Sequence, residues 1–266
     1  MLLFKKYVLL SITFFTISKN CYSTVSDTLL KETTPQFAVI FDCDGVLVDS
    51  EPNHLAAWQI TLKQYNYNLT LDEYLPFVGN SSKNIIQALS AQGKIPFNEE
   101  IATQKHVCYQ QRMHLQNTIP MPHAIAFVQA LKAEKEKLNI VIGLASSSPR
   151  IEIMHNLQTI GLADAFDIIV SGRDDLGEFN DPEGTNKPKP YIYQKTAQLL
   201  GVNPTQCIVF EDSNAGVTAA HTAGMTVIAV PNEYTSTHDF TRAIRVLNSF
   251  DALTIADVIN LLPKID

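Results

Sequence analysis

Short apolar runs alternate with longer amphipathic stretches along much of the chain, and this pattern predicts a repeated order of strand and helix. The predicted strands cover residues 37–41, 140–145, 166–170, 207–210 and 226–230. Residues 123–137 and 190–200 are predicted helices between them, because their apolar residues recur every three or four positions. Repeated units of this kind predict an α/β fold, a doubly wound parallel sheet covered by helices on both faces.

Residues 51–118 have a different pattern, with helical spacing throughout and no alternating run typical of a strand. Gly79, Gly93 and Pro96 divide this stretch into separate helices. The sequence therefore predicts an all-helical domain at residues 51–118, inserted into an α/β core formed by residues 36–50 and 119–266. The tail, residues 239–262, is predicted to form helices that pack on the sheet.

The first 23 residues have the three-part plan of a secretory signal. Lys5 and Lys6 precede an apolar run at residues 7–17, and small residues follow at positions 21–23. The run is shorter than the roughly 20 apolar residues that span a bilayer, so stable membrane insertion is not expected. We expect residues 1–23 to be removed and the protein to be exported, to a periplasm or beyond. If the segment is instead an ordinary first helix, the protein is cytoplasmic.

Composition narrows the class of protein further. The chain has 266 residues, 45% of them hydrophobic, which is ordinary for a soluble globular protein. Its formal charge of −7 argues against a nucleic-acid partner, because such proteins need clustered lysine and arginine to replace phosphate counterions. Composition leaves the oligomeric state open.

Two carboxylates stand at the exit of the first predicted strand. Asp42 and Asp44 are two positions apart, and alternation along a strand directs both side chains to the same side. Gly45 follows, where the backbone can turn sharply or approach a ligand closely. An acidic turn or a calcium loop would look similar, although no further acidic residues arrive at the spacing of an EF-hand.

The other strand ends also carry polar residues. Ser146 and Ser147 precede a helix, where hydroxyl and backbone N–H groups suit a phosphate, whereas Glu211 and Asp212 can bind a hard cation through oxygen. Lys187 lies in a loop before a helix. Each signal is weak alone, but the set suits phosphoryl transfer: one carboxylate attacks phosphorus, another moves protons, and a cation and a lysine neutralise charge.

The motifs and their order resemble those of the haloacid dehalogenase-like hydrolases. They are residues 42–51 (DCDGVLVDSE), 144–148 (LASSS), 187–190 (KPKP) and 210–216 (FEDSNAG). Within this superfamily, the chain is similar to the β-phosphoglucomutase-like phosphatases, which carry a helical cap over the active site. The resemblance implies a phosphatase acting on a small phosphorylated metabolite, of which a sugar phosphate is the favoured class, through an aspartyl-phosphate intermediate.

The resemblance also implies roles for particular residues. Asp42 would be the nucleophile and Asp44 the general acid and base, while Ser146 and Lys187 would hold the phosphoryl group. Mg²⁺ would be bound by Asp42, the Asp44 carbonyl, Glu211 and Asp212. The cap would begin at a hinge at Ser50 and Glu51, and would direct His54 and the loop 77–83, with Gly79 and Asn80, at the leaving group.

Two departures from the family pattern leave questions open. Tyr191 stands where an acidic residue usually follows the second proline, so the partner that orients Lys187 is not identified. The acidic loop at residues 172–186 is longer than usual, and is either a solvated insertion or an acidic lip on the site.

Two other functions also remain possible. A phosphosugar mutase would need a cationic cap loop, and Lys83 is the only cation in residues 78–83. A non-catalytic phosphosugar-binding protein is the third interpretation, against which the complete set of motif residues argues.

Overall fold

The computed structural model describes residues 37–115 and 118–261. The predicted signal segment, residues 1–23, lies outside these ranges and remains a prediction. The strands are β1 (Phe37–Phe41), β2 (Val48–Asp49), β3 (Ile119–Pro120), β4 (Ile140–Ser146), β5 (Ile168–Ser171), β6 (Cys207–Glu211), β7 (Thr226–Ala229) and β8 (Arg245–Val246). The helices are α1 (Glu51–Lys63), α2 (Leu71–Tyr74), α3 (Ser82–Ala91), α4 (Glu100–Leu115), α5 (Ala124–Leu138), α6 (Arg150–Thr159), α7 (Tyr191–Leu200), α8 (Asn214–Thr222) and α9 (Ile255–Leu261).

Six strands form a parallel sheet in the order β5-β4-β1-β6-β7-β8, which confirms the predicted α/β fold. The first strand is central because all five of its residues are apolar and four of them are buried. Alternate residues of this strand face opposite sides of the sheet. Phe41 joins one buried apolar cluster, where its ring stacks on Phe210 at 5.0 Å, and Ile40 joins the cluster on the other face.

The register of the sheet brings the polar strand ends together. Phe41 pairs with Leu144 on one side and with Phe210 on the other. Asp42 continues this pairing, because its backbone N–H donates to the Phe210 carbonyl at 3.0 Å. The residues after β1, β4 and β6 therefore meet at one edge, where α/β sheets bind their ligands.

Residues 51–115, called the helical segment below, contain α1 to α4 and have a separate buried cluster around Trp58, Leu62 and Ile101. The antiparallel ribbon of β2 and β3 brings the two ends of this segment together. The sequence did not indicate this ribbon, since two residues are too few to show alternation. The division into cap and core domains remains a prediction.

The prediction for the tail was wrong in part. Residues 245–246 form the edge strand β8, and helix α9 begins only at Ile255. The strand forms because Ile244 and Leu247 donate their backbone N–H groups to Val227 and Ala229 at 2.9 and 2.8 Å. Such a pairing depends on the neighbouring strand and leaves no local pattern. Within the described ranges, no helix has the length and apolar character needed to cross a membrane.

Ser50 occupies the position before α1, but its side chain makes no capping hydrogen bond. Before Gly79, within the stretch predicted to be helical, α2 is followed directly by a 3₁₀ turn, Leu75–Phe77. Pro76 lies within that turn, where its missing N–H group prevents the α-helix from continuing.

Candidate active site

Lys187 is buried between two carboxylates at the end of the sheet. Its Nζ donates to Asp42 Oδ1 at 2.8 Å, to Glu211 Oε1 at 2.7 Å and to the Ala145 carbonyl at 3.2 Å. All three donors of the ammonium group are thus used inside the protein. Burial alone would lower the pKa of Lys187, but the two carboxylates raise it well above its ordinary value.

These contacts identify the partner that orients Lys187. It is Glu211, from the next strand, and not a residue of its own motif. Tyr191 points to the acidic loop, where its hydroxyl group donates to Asp181 Oδ2 at 2.9 Å.

Glu211 is fully buried and organises its surroundings through both carboxylate oxygens. Oε1 accepts from Lys187 and from the Tyr193 hydroxyl at 2.5 Å, and Oε2 accepts from the Asp212 backbone at 3.1 Å. Gly216 makes room for this carboxylate, since a Cβ there would lie 1.9 Å from it. The sequence did not indicate Tyr193, whose contact depends on how α7 packs against β6.

Asp42, Glu211 and Asp212 form a buried acidic cluster with one oxygen of each within 4.8 Å of the others. Burial raises the pKa of Asp42 to about 8, opposed by Lys187 and reinforced by Glu211 and Asp44. Burial and the neighbouring carboxylates of Glu211 and Asp42 also raise the pKa of Asp212 well above its ordinary value. A hard divalent cation prefers carboxylate oxygens and would relieve this repulsion, so the residues present fit Mg²⁺.

The turn after β1 supports this cluster. Gly45 has a φ of +80°, and a Cβ there would lie 2.2 Å from Asp212 Oδ2. Asn232 donates from Nδ2 to the same oxygen at 2.9 Å and to the Gly45 carbonyl at 3.3 Å. Asn232 was not predicted from the sequence. It is a polar residue shortly after β7, which is the same kind of position as those of the predicted site residues after β1, β4 and β6.

Asp44 has surroundings unlike those of Asp42. Its Oδ2 accepts from the hydroxyl groups of Ser146 at 3.1 Å and Ser148 at 2.8 Å. Its Oδ1 is buried without a hydrogen-bond partner and lies 4.0 Å from His54 Nε2. The side chain of Asp44 is not part of the acidic cluster, so its expected metal contact, through the carbonyl, remains a prediction.

His54 is held by residues of the helical segment. Lys105 Nζ lies 2.8 Å from His54 Nδ1, which assigns the ring proton to Nε2, facing Asp44. The ring stacks on Tyr109 with 4.0 Å between centroids. Burial and the positive charge of Lys105 lower the pKa of His54 well below its ordinary value. Lys105 was not predicted as a site residue. Its sequence signal is a lysine on a helix face whose neighbours, Ile101 and Tyr109, are apolar and buried.

These residues surround a cavity of about 410 Å³ between the helical segment and the ends of the strands. The predicted residues on its wall are Asp42, Asp44, His54, Gly79, Asn80, Ser147, Lys187 and Asp212. Ser146 and Glu211 lie behind the wall, fully buried. Gly79 packs closely on the α/β core, because a Cβ there would lie 2.6 Å from the Ser213 side chain.

The acidic loop does not place its acids on the cavity wall. Asp175 and Glu178 form ion pairs with Arg150 and Lys195, and Lys189 pairs with Glu183 at 2.7 Å. Only the ends of the loop line the cavity, at Gly172, Arg173, Thr185 and Asn186. This arrangement favours the solvated insertion over the acidic lip.

A sequence profile described as "Haloacid dehalogenase-like hydrolase" matches residues 39–230. The chain is 29% identical over 192 residues to the fructose-1-phosphate phosphatase YqaB of Escherichia coli, covering 72% of this chain and 95% of that protein. It is 30% identical over 193 residues to the phosphorylated carbohydrates phosphatase of Thermotoga maritima, covering 71% and 82% of the two chains. Among solved structures, β-phosphoglucomutase from Clostridium difficile matches at a TM-score of 0.68 and 27% identity, covering 85% of this chain and 96% of that one.

Proposed function

The chain belongs to the haloacid dehalogenase-like hydrolase family, and from this premise we propose a magnesium-dependent phosphatase of small phosphorylated metabolites, with sugar phosphates as the favoured class. The observation that carries the proposal is the different setting of two carboxylates at one cavity. Asp42 belongs to the acidic cluster and accepts a hydrogen bond from Lys187, whereas Asp44 keeps an oxygen without a partner. This difference supports attack by Asp42 and proton transfer by Asp44.

In the proposed reaction, a carboxylate oxygen of Asp42 forms a bond to phosphorus while the bond from phosphorus to the leaving oxygen breaks. Asp44 donates a proton to that oxygen, and the alcohol leaves. Asp44 then accepts a proton from a water molecule that attacks the aspartyl phosphate, which releases inorganic phosphate and restores Asp42. Lys187 neutralises charge on the phosphoryl oxygens, and Ser147 on the cavity wall can donate to them. Mg²⁺ bound by Asp42, Glu211 and Asp212 would supply further charge stabilisation.

The relatives support this proposal. One is named a fructose-1-phosphate phosphatase and another a phosphorylated carbohydrates phosphatase. Family membership and these names support phosphoester hydrolysis by this chain as well.

The test is phosphate release from a panel of phosphorylated metabolites, including fructose 1-phosphate, with and without Mg²⁺. We expect release by the wild type with Mg²⁺, and none above background for Asp42→Asn. Asp44→Asn should lower kcat by about 10²–10⁴-fold with a much smaller effect on KM. Asp72→Asn, at an exposed position of α2, is the matched control and should behave as wild type. Equal release by Asp42→Asn and wild type would refute the nucleophile assignment.

A phosphosugar mutase is a second candidate, and one observation favours it. Arg173 lines the same cavity as Lys83, so two cations are available for a second phosphate, where the sequence indicated one. Incubation with β-glucose 1-phosphate separates the two activities. Efficient isomerisation with little phosphate release would favour the mutase, whereas release without isomerisation supports the phosphatase.

A further inference from the structure

Glu152 is a buried carboxyl group on the cavity wall for which the proposed reaction has no use. It lies in the first turn of α6, shortly after Ser148, whose hydroxyl group contacts Asp44. Its side chain is 3% exposed, yet Oε1 has no hydrogen-bond partner. Buried polar atoms in native proteins are nearly always hydrogen-bonded, so this oxygen needs an explanation.

His106 faces Glu152 from the helical segment. Its Nδ1 lies 3.1 Å from Glu152 Oε1 without forming a proper hydrogen bond. Its Nε2 lies 3.1 Å from the side-chain nitrogen of Gln110, and an amide donor there leaves the ring proton on Nδ1. His106 Nδ1 on α4 and Glu152 Oε1 on α6 thus lie next to each other at the cavity. The first can still donate a hydrogen bond and the second can still accept one.

The charges around this pair restrict what can bind there. Lys105 is committed to His54 and lies over the rings of Trp58 and Tyr109, at 5.6 and 5.0 Å from their centroids. Burial raises the pKa of Glu152 to about 8 and lowers the pKa of His106. Arg173 also lines this cavity and acts on both groups through its positive charge. Near neutral pH the Glu152 and His106 side chains themselves therefore carry little charge, but both have hydrogen-bonding atoms.

An apolar leaving group would leave Glu152 Oε1 unpaired, as it is in the structure, and would gain no hydrogen bond there. A neutral hydroxyl group, which both donates and accepts, matches Glu152 and His106 together.

We propose that Glu152 and His106 form a subsite for a hydroxyl group of the leaving group, so that polyol and sugar phosphates are preferred over alkyl phosphates. This inference rests on the proposed phosphatase function. The subsite draws one residue from the α/β core and one from the helical segment, so it is complete only when the two are in contact.

The test compares kcat/KM for sorbitol 6-phosphate and n-hexyl phosphate, which have six carbons each and differ in their hydroxyl groups. The wild type should prefer the sorbitol ester. Glu152→Leu should reduce the ratio of the two values about 10- to 100-fold, because a site built for a hydroxyl group discriminates through that hydrogen bond. Glu152→Gln, which can still donate and accept, should restore part of the ratio, and His106→Leu should reduce it from the other wall.

Glu100→Leu, at an exposed position of α4, is the matched control and should keep the wild-type ratio. If Glu152→Leu lowers both values equally, the side chain only supports packing and the subsite is refuted. A wild type that hydrolyses both esters equally well also refutes the subsite, while the phosphatase proposal stands. Failure of the wild type to release phosphate from either ester or from the metabolite panel overturns both.

Discussion

Replacement of Lys187 by methionine is expected to remove activity and to destabilise the fold, even without metal. Methionine keeps an unbranched apolar stem and removes the ammonium group. That group lies 2.8 Å from Asp42 Oδ1 and 2.7 Å from Glu211 Oε1, and Lys187 is only 4% exposed. Water cannot readily take its place, so two buried carboxylates would face each other without a counter-charge.

The size of the effect follows from these contacts. Removing one partner of a buried ion pair costs about 3–5 kcal/mol, because the remaining charge stays buried. For a chain of this size, about 4 kcal/mol corresponds to a fall of about 8–16 °C in Tm. We therefore expect Lys187→Met to unfold well below the wild type in a buffer with EDTA, and to release no phosphate above background with Mg²⁺.

The assay is urea unfolding in EDTA, followed by circular dichroism and by the fluorescence of Trp58, the single tryptophan of the chain. Lys63→Met, at an exposed position at the end of α1, is the control and should change stability little. A loss of activity with a stability change below about 1 kcal/mol would refute this reasoning, since it would show that the lysine is not the counter-charge of the cluster.

Further predictions concern the metal, the turn and the cavity wall. Mg²⁺ should raise the Tm of the wild type but not of Asp212→Asn in a thermal shift assay, and an equal rise in both would place the ion elsewhere. Gly45→Ala should lose at least about 1–3 kcal/mol in urea unfolding, because its Cβ would lie 2.2 Å from Asp212 Oδ2. Gly93→Ala, with a φ of +70° and open space around it, should lose less and isolates the backbone strain. The pKa of Glu152 is about 8 in the fold against an ordinary 4.5, so the folded chain holds an extra proton between these values and stability falls as the pH rises. The unfolding free energy of Glu152→Gln relative to wild type should therefore rise by about 2–4 kcal/mol from pH 5 to pH 8, and a flat difference would contradict the shift.

Most of the predicted site could be found from sequence because its residues stand at the ends of strands or immediately after them in the chain. Once β1 and β6 are parallel neighbours, Asp42 and Glu211 must meet, and no knowledge of side-chain packing is needed. The family motifs added Lys187, whose loop has no strand to locate it. The same reasoning placed Ser146 at the site but could not show that its hydroxyl group binds Asp44 from behind the wall.

The residues that the sequence did not indicate contact the site from elements that are distant in the chain. Tyr193, Lys105 and Asn232 reach the site from α7, α4 and the segment after β7, at positions set by packing. The strands β2 and β8 were missed for a related reason, because two residues carry no periodicity and pair only when a neighbour is present. Long-range contacts of this kind are absent from any local pattern.

Contacts between the helical segment and the α/β core surround the cavity. Gly79 packs on Ser213. His238 connects the two parts: its Nδ1 accepts a hydrogen bond from the Asn214 backbone N–H at 3.2 Å, and its Nε2 lies 3.3 Å from the Leu75 carbonyl. The pair of Glu152 and His106 adds a third contact. The position of the helical segment therefore fixes the shape of the cavity and the groups that a leaving group meets.

The two carboxylates of the proposed reaction, Asp42 and Asp44, differ in how much they depend on the helical segment. Lys187 donates to both Asp42 and Glu211, and all three residues lie outside the helical segment, so the acidic cluster is complete without these helices. Asp44 has core partners at one oxygen only, and the other oxygen faces His54 on α1. Movement of the helical segment would thus leave the proposed nucleophile and cation site in place, but would change the surroundings of the proposed proton donor and admit water. In the proposed reaction, proton transfer to the leaving group is therefore the step that depends on contact between the helical segment and the core.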